Sequence, residues 1–206
     1  MREMINFLLA GVGGQGTILA SDVLVNVGLA GGYQAKQAEV HGMSQRGGSV
    51  TSFVRWGKTV YSPLVGAGEV DVFLAFEKAE ALRNLFQLRR GALALVNLAA
   101  IEPVTVTSGG QHYPDDATLY QKFSELTDQV IYVDGEAIAE SLGNIRAANV
   151  VLLGALSAAM QRQRLTGAEL PSDAWLQVVL ERVPAKYVEL NRQAFLAGRD
   201  VIHKPQ

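Results

Sequence analysis

The sequence contains no cysteine. That excludes disulfides, a thiol nucleophile and thiolate ligation of an iron–sulfur cluster by this chain. Histidine is scarce as well: His41, His112 and His203 stand far apart and share no metal-ligand spacing, so no metal site is expected. Charged residues make up only 18% of the chain and nearly cancel, at a net −2. Without a basic excess or a basic run there is no electrostatic footprint for nucleic acid or for an anionic membrane surface. Long hydrophobic runs are missing too. The apolar stretch at residues 5–10 (INFLLA) gives way to glycines long before it could span a bilayer. A cytoplasmic protein is the expectation.

Hydrophobic residues, by contrast, are 49% of 206, enough to fill one core. No repeat, linker or low-complexity tract divides the chain, so residues 1–206 read as a single domain. So low a charged fraction also fits a surface partly covered by a partner.

Two glycine-rich stretches carry the functional signal. The first follows residues 5–10, whose short apolar run suits a parallel strand buried on both faces. It reads Gly11-Val12-Gly13-Gly14-Gln15-Gly16 and leads into an apolar-rich helix over residues 17–30, stopped at Gly31 and Gly32. Strand, glycine turn, helix is the opening of a nucleotide-type α/β fold, and amides at such a helix start attract anions. The second stretch is residues 39–49, EVHGMSQRGGS. It has no helix or strand period and reads as a recognition loop holding His41, Ser44 and Arg46, with Gly47 and Gly48 leaving room beside them. A plain surface turn with incidental polar groups is the alternative.

The first stretch matches G-x-G-x-x-G, which raises an NAD(P)-binding oxidoreductase as a second reading. That reading wants a buried second strand ending in an acid about twenty residues on. Residues 33–38 (YQAKQA) are too polar for a central strand, and Glu39 opens the polar loop. A tight turn with no ligand, in a purely structural assembly module, is the third reading.

Further along, residues 49–56 alternate and predict a strand, with Gly57-Lys58 as a hairpin turn and residues 59–64 returning. Residues 70–76, 92–96 and 130–133 predict buried strands, and 104–107 a small edge strand. Asn97 falls at the carboxyl end of its strand, where open α/β sheets place ligands. Helices are expected over 77–88, closed by Gly91, and over 116–126 and 136–142. A nearly all-apolar helix should start at Asn144, with Arg146 and Asn149 on one face. A charge and an amide at the start of a buried helix need partners, either a local cap and ion pair or a ligand. Ser172 is the expected N-cap of a helix over 173–182, and Pro184 should open another that Gly198 stops. The fold class is α/β: a three-layer Rossmann-like fold with a mainly parallel central sheet, a β-hairpin and C-terminal helices.

Taken in order, GVGGQG at 11–16, EVHGMSQRGGSV at 39–50, YSPL at 61–64 and GNIRAANVVLLGAL at 143–156 resemble the gamma subunit, or domain III, of the 2-oxoacid:ferredoxin oxidoreductases. Within that family the likeness is nearest to the small (beta) subunit of the indolepyruvate type, and it runs from Met1 to about Gly198. The resemblance implies oxidative decarboxylation of a 2-oxoacid, an aryl pyruvate such as indolepyruvate, to an acyl-coenzyme A, with electrons passed to ferredoxin. It places thiamine diphosphate and [4Fe-4S] clusters on a larger partner subunit, in keeping with the missing cysteines. This chain is then inactive alone and contributes a coenzyme A contact. The residues implied in that contact are Gly11, Gly13, Gly14, Gln15, Gly16, His41, Ser44, Arg46, Gly47, Gly48, Arg146 and Asn149. No nucleophile or proton-transfer residue is expected here, because the chemistry is the cofactor's.

Overall fold

The structure is a computed structural model and describes residues 4–41, 48–102, 106, 109, 112–167 and 169–203. Among these residues one six-stranded sheet is present, in the order β2-β3-β1-β4-β5-β6. β1 (Met4–Val12), β4 (Val70–Ala75), β5 (Leu88–Asn97) and β6 (Val130–Val133) are the apolar runs of the sequence, and they pair in parallel. β3 (Ser49–Gly57) runs against β1 and against β2 (Gln34–His41). Only β3 is reversed, so the sheet is mainly parallel.

β2 is where the sequence was hardest to read. Its residues are too polar for the sheet centre, and they form its edge instead, with Lys36, Gln37, Glu39 and Val40 exposed. An edge strand keeps one face and one row of backbone groups in water, so polarity does not exclude it. The parallel second strand of a dinucleotide fold is therefore not beside β1, whose neighbours are the antiparallel β3 and the parallel β4. The hairpin also moves. It joins β2 to β3, and residues 59–64 form no strand. Both edges of β3 are already taken by β1 and β2, which leaves the returning segment nothing to pair with. It is held by side chains: Arg55 Nη1 donates to the carbonyls of Ser62 and Leu64 at 3.2 and 2.8 Å, and Lys36 Nζ to that of Tyr61 at 3.2 Å. The loop expected over 39–49 is shorter than that, since residues 39–41 end β2 and Ser49 begins β3.

Helices cover both faces. α1 (Thr17–Ala30), α4 (Gly135–Ser141), α5 (Ala148–Arg162), α6 (Ser172–Glu181) and α7 (Val188–His203) share one core with Phe7, Trp56 and Val72 of the sheet. α2 (Lys78–Arg83) and α3 (Asp116–Ser124) share the other with Leu8 and Phe73. Three layers result. Because α1 follows β1 onto one face and α2 follows β4 onto the other, a crevice opens between the carboxyl ends of β1 and β4, where ligands enter such sheets.

Several expected boundaries shift for local reasons. α2 ends at Arg83 and a 3₁₀ turn, Leu85–Gln87, leads into β5, so Gly91 lies inside the strand. Its φ of 70° coincides with a register shift between β4 and β5, the irregularity glycine permits. The helix expected from Asn144 begins as a 3₁₀ turn, Ile145–Ala147, before α5. Pro171, not Ser172, occupies the N-cap of α6. Gly198 does not stop the last helix. It sits within α7 because a Cβ there would lie 1.9 Å from the Val151 carbonyl oxygen, while one on Gly154 of α5 would lie 2.0 Å from that of Phe195. The two glycines let α5 and α7 touch backbone to backbone, which buries α5 from Asn149 to Met160. Of the edge strand expected at 104–107, Val106 is described and is helical; the other three residues lie outside the described ones.

Candidate functional site

The first glycine stretch closes β1 and opens α1. Gly11 is still in β1, where a side chain would press on Gln15 Oε1 and Phe76 Cβ, both 2.9 Å from a built Cβ. The amide of Gly13 donates to the carbonyl of Gly48 at 2.9 Å, so the exit of the second glycine stretch is bonded to the first. Gly14 and Gly16 have φ of 110° and 83°, a left-handed backbone that glycine adopts without strain. Gly16 is also the N-cap of α1, and no side chain caps that helix start. The first amides of a helix have no intrahelical acceptor and carry the positive end of its dipole.

Gln15 is tied at both ends of its amide. Oε1 accepts from the Val12 amide at 2.8 Å, and Nε2 donates to the Phe76 carbonyl at 2.9 Å. Its first job is to hold the turn. Asn97 reaches the same carbonyl: Nδ2 donates to Phe76 O at 3.0 Å, and its Oδ1 accepts from the Gly135 amide at 2.9 Å.

From the other side come Arg146 and Asn149. Asn144 caps the 3₁₀ turn by accepting the Arg146 amide at 3.1 Å, which leaves the Arg146 side chain exposed. Asn149 is only 7% exposed. Its Oδ1 accepts from the Val150 amide at 2.9 Å, and its Nδ2 makes no hydrogen bond among the described residues. That nitrogen lies against Gly16, 2.3 Å from where a Cβ would stand. Gly14, Gln15, Gly16, Arg146 and Asn149 thereby line one cleft of about 470 Å³, together with Phe76, Asn97 and Glu136. Neither Arg146 nor Glu136 makes an ion pair among the described residues. An uncapped helix start, an unpaired amide and a free guanidinium can together hold a phosphate or carboxylate.

Gly48 enters through its carbonyl, and His41 is the last residue of β2. Ser44, Arg46 and Gly47 lie outside the described residues. Phe76 and Glu136 also line the cleft, with little in the sequence to mark them. Phe76 acts through its backbone, which leaves no side-chain signature, and Glu136 carried only the signal of an acid in a first helical turn. Asn97 was placed at its strand end but not counted in the site.

A second polar cluster occupies the α2 side of the same sheet rim. Glu77, 1% exposed, caps α2 by accepting the Glu80 amide at 2.8 Å, and also accepts from the Ile101 amide at 3.2 Å and from the Tyr113 hydroxyl. Burial pushes its carboxyl above the ordinary range, against the pull of these amides. Glu80 accepts from Ser49 Oγ at 2.6 Å and from Arg83. Among the described residues no group of three or more His, Asp or Glu could hold a metal ion, and no helix is long and apolar enough to cross a membrane.

The family model for pyruvate ferredoxin/flavodoxin oxidoreductase matches residues 6–201. The indolepyruvate oxidoreductase subunit IorB of Thermococcus kodakarensis is 39% identical over 94% of this chain and 93% of its own length, and that of Pyrococcus horikoshii 38% over the same shares. Among solved structures, the gamma subunit of a keto/oxoacid ferredoxin oxidoreductase from Geobacter sulfurreducens superposes with a TM-score of 0.69 at 27% identity, over 97% of this chain and 98% of that one. The 2-oxoglutarate:ferredoxin oxidoreductase of Magnetococcus marinus, solved with 2-oxoglutarate, coenzyme A and succinyl-CoA bound, shares the fold. Its TM-score is 0.73 at 18% identity, over 100% of this chain and 32% of that one. On the extent of these matches, the chain belongs to the pyruvate ferredoxin/flavodoxin oxidoreductase family.

Proposed function

We propose that this chain is the small subunit of an indolepyruvate-type 2-oxoacid:ferredoxin oxidoreductase and that its cleft contacts coenzyme A. The observation that carries the coenzyme A reading is the convergence of the uncapped α1 start, the unpaired Asn149 amide and Arg146 on one cleft. Coenzyme A is rich in phosphate, and all three groups favour an anion. The IorB relatives, alike over nearly their whole length, support the indolepyruvate assignment.

The larger subunit supplies the rest. Thiamine diphosphate and iron–sulfur clusters, held by that subunit, would supply the decarboxylation chemistry and the electron path to ferredoxin. This chain has no cysteine for a cluster. Its own residues do three things. The Gly13–Gly48 bond holds the two glycine stretches together. The α1 start, Asn149 and Arg146 bind a phosphate and orient the rest of the thiol substrate toward the partner. The cleft wall keeps water from that end of the ligand.

The test is to co-purify the chain with the large subunit and assay dye-linked oxidation of indolepyruvate, pyruvate and 2-oxoglutarate, with and without coenzyme A. Coenzyme A-dependent turnover fastest with indolepyruvate is expected. No association, or turnover indifferent to coenzyme A, would overturn the reading.

A further inference from the structure

The floor of the cleft is one unbroken chain of hydrogen bonds. The Val12 amide donates to Gln15 Oε1 at 2.8 Å, and Gln15 Nε2 to the Phe76 carbonyl at 2.9 Å. Asn97 Nδ2 donates to that same oxygen at 3.0 Å, and the Gly135 amide to Asn97 Oδ1 at 2.9 Å. The chain runs from the carboxyl end of β1, past those of β4 and β5, to the first residue of α4. It runs beside backbone bonds that continue along the rim, from the Phe76 amide to the Ala10 carbonyl, Lys78 to Ala99 and Leu98 to Val133, and side-chain amides make its own crossings.

Asn97 is the member that joins the two walls. Through Phe76 O it meets the Gln15 turn and so the wall formed by Gly14 and Gly16. Through Gly135 it meets the residue before Glu136, which lines the same cleft. Gly135 allows this approach, since a Cβ there would stand 3.2 Å from both Asn97 Oδ1 and Leu152 Cδ2. Asn97 is 2% exposed, and both ends of its carboxamide are engaged. A buried, doubly anchored amide fixes geometry closely, because any shift leaves a buried polar group unpaired. Asparagine carries its donor and its acceptor on two separate atoms, one for each partner here. Aspartate has no donor at neutral pH, and leucine has neither.

We propose that Asn97 is a positioning residue for this cleft: its carboxamide, bridging the Phe76 carbonyl and the Gly135 amide, sets the spacing between the glycine wall and the Glu136 wall and thereby the fit of the phosphorylated ligand. The inference rests on the coenzyme A reading above. It differs from a simple structural staple, which would lower stability without selecting one substrate's KM.

The experiment uses the two-subunit complex carrying Asn97→Asp, which keeps the acceptor for Gly135 and sets a carboxylate oxygen against the Phe76 carbonyl. The KM for coenzyme A should rise about tenfold, on the order of one lost hydrogen bond. The kcat at saturating coenzyme A and the KM for the 2-oxoacid should stay within about twofold, since neither depends on a contact made only in the transition state. Amide hydrogen exchange at residues 14–16 should quicken. Arg146→Ala is measured alongside. If Arg146→Ala raises the KM for coenzyme A and Asn97→Asp does not, the positioning role is wrong and the coenzyme A reading stands. If neither raises it, the coenzyme A reading fails and the positioning role falls with it. Should Asn97→Asp not assemble, Asn97→Ser enters the same assays with the same outcomes.

Discussion

Gln15 and Asn97 donate to one oxygen, the backbone carbonyl of Phe76, from opposite sides of β4. The first belongs to the turn after β1 and the second to the end of β5. A carbonyl has two lone pairs, and here each is used by a side-chain amide. Gln15 thus ties the crevice between β1 and β4 beside the backbone bond from the Phe76 amide to the Ala10 carbonyl, and Asn97 extends the tie to β5.

Gln15→Leu removes both bonds of that side chain while keeping most of its volume. The Val12 amide loses its acceptor, and Phe76 O keeps Asn97. Loss of about 1–3 kcal/mol of unfolding free energy is expected, the cost of leaving a largely buried donor unmatched. Urea unfolding of the purified chain measures it. A loss below about 0.5 kcal/mol, the usual range of a surface change, would show that the turn is held by its glycines alone.

Gly198→Ala places a methyl where 1.9 Å separates it from the Val151 carbonyl oxygen. Backbone cannot yield as a side chain can, so α5 and α7 must part. Overpacking of this kind costs about 1–3 kcal/mol or more. Alanine ordinarily favours a helix over glycine by about 1 kcal/mol, so the sign of the measured change separates the two ideas. Stabilisation would mean that the helices are not in backbone contact.

How far these features could be read beforehand depended on whether their cause was local. Residues 5–10, 70–76 and 92–96 declare themselves as strands because burial on both faces demands an apolar run, whereas 130–133, expected as buried, form the half-buried edge strand β6. β2 does not declare itself, because an edge strand carries polar residues on its open side. Gly198 was misread because one residue type serves both to stop helices and to let them touch, and only the partner helix decides. Gly14, Gly16, Arg146 and Asn149 stand out in the sequence by their places at helix starts, and one candidate cleft receives all four. Asn97 and Glu136 join them through the order of strands, which no local pattern encodes.

Glu77 predicts a pH dependence. Its folded-state pKa is raised above the ordinary value of 4.5 by burial, and the neighbouring Glu80 carboxylate adds to the rise. A raised acid binds its proton more tightly folded than unfolded. It therefore contributes stability that is full below about pH 4.5 and lost as pH climbs through the folded-state value. Ser49, Lys78, Arg83 and Tyr113 surround the pair, but burial is the largest influence. Urea midpoints taken from pH 4 to pH 8 should show wild type losing ground, as pH rises, to Glu77→Gln, which has no proton to lose. Parallel curves for the two proteins would show that the buried carboxyl titrates normally.

Arg146 offers the sharpest functional test, because it is exposed and pairs with no acid among the described residues. Removing it should leave folding almost unchanged, within about 0.5 kcal/mol. If it binds a phosphate of coenzyme A, Arg146→Ala should raise the KM for coenzyme A by about tenfold to a hundredfold, matching 1.5–3 kcal/mol for a charge-assisted bond. Arg146→Lys should fall between, since the ammonium keeps the charge and loses the two-point fork. The wild-type KM should also climb with ionic strength more steeply than that of Arg146→Ala, because an exposed ion contact is screened by salt. Surface arginines elsewhere, such as Arg192 on α7, serve as controls and should change neither KM nor its salt slope. Equal behaviour of Arg146→Ala and Arg192→Ala would mean that the guanidinium faces solvent and that the ligand's charge is met by the α1 start and Asn149 alone.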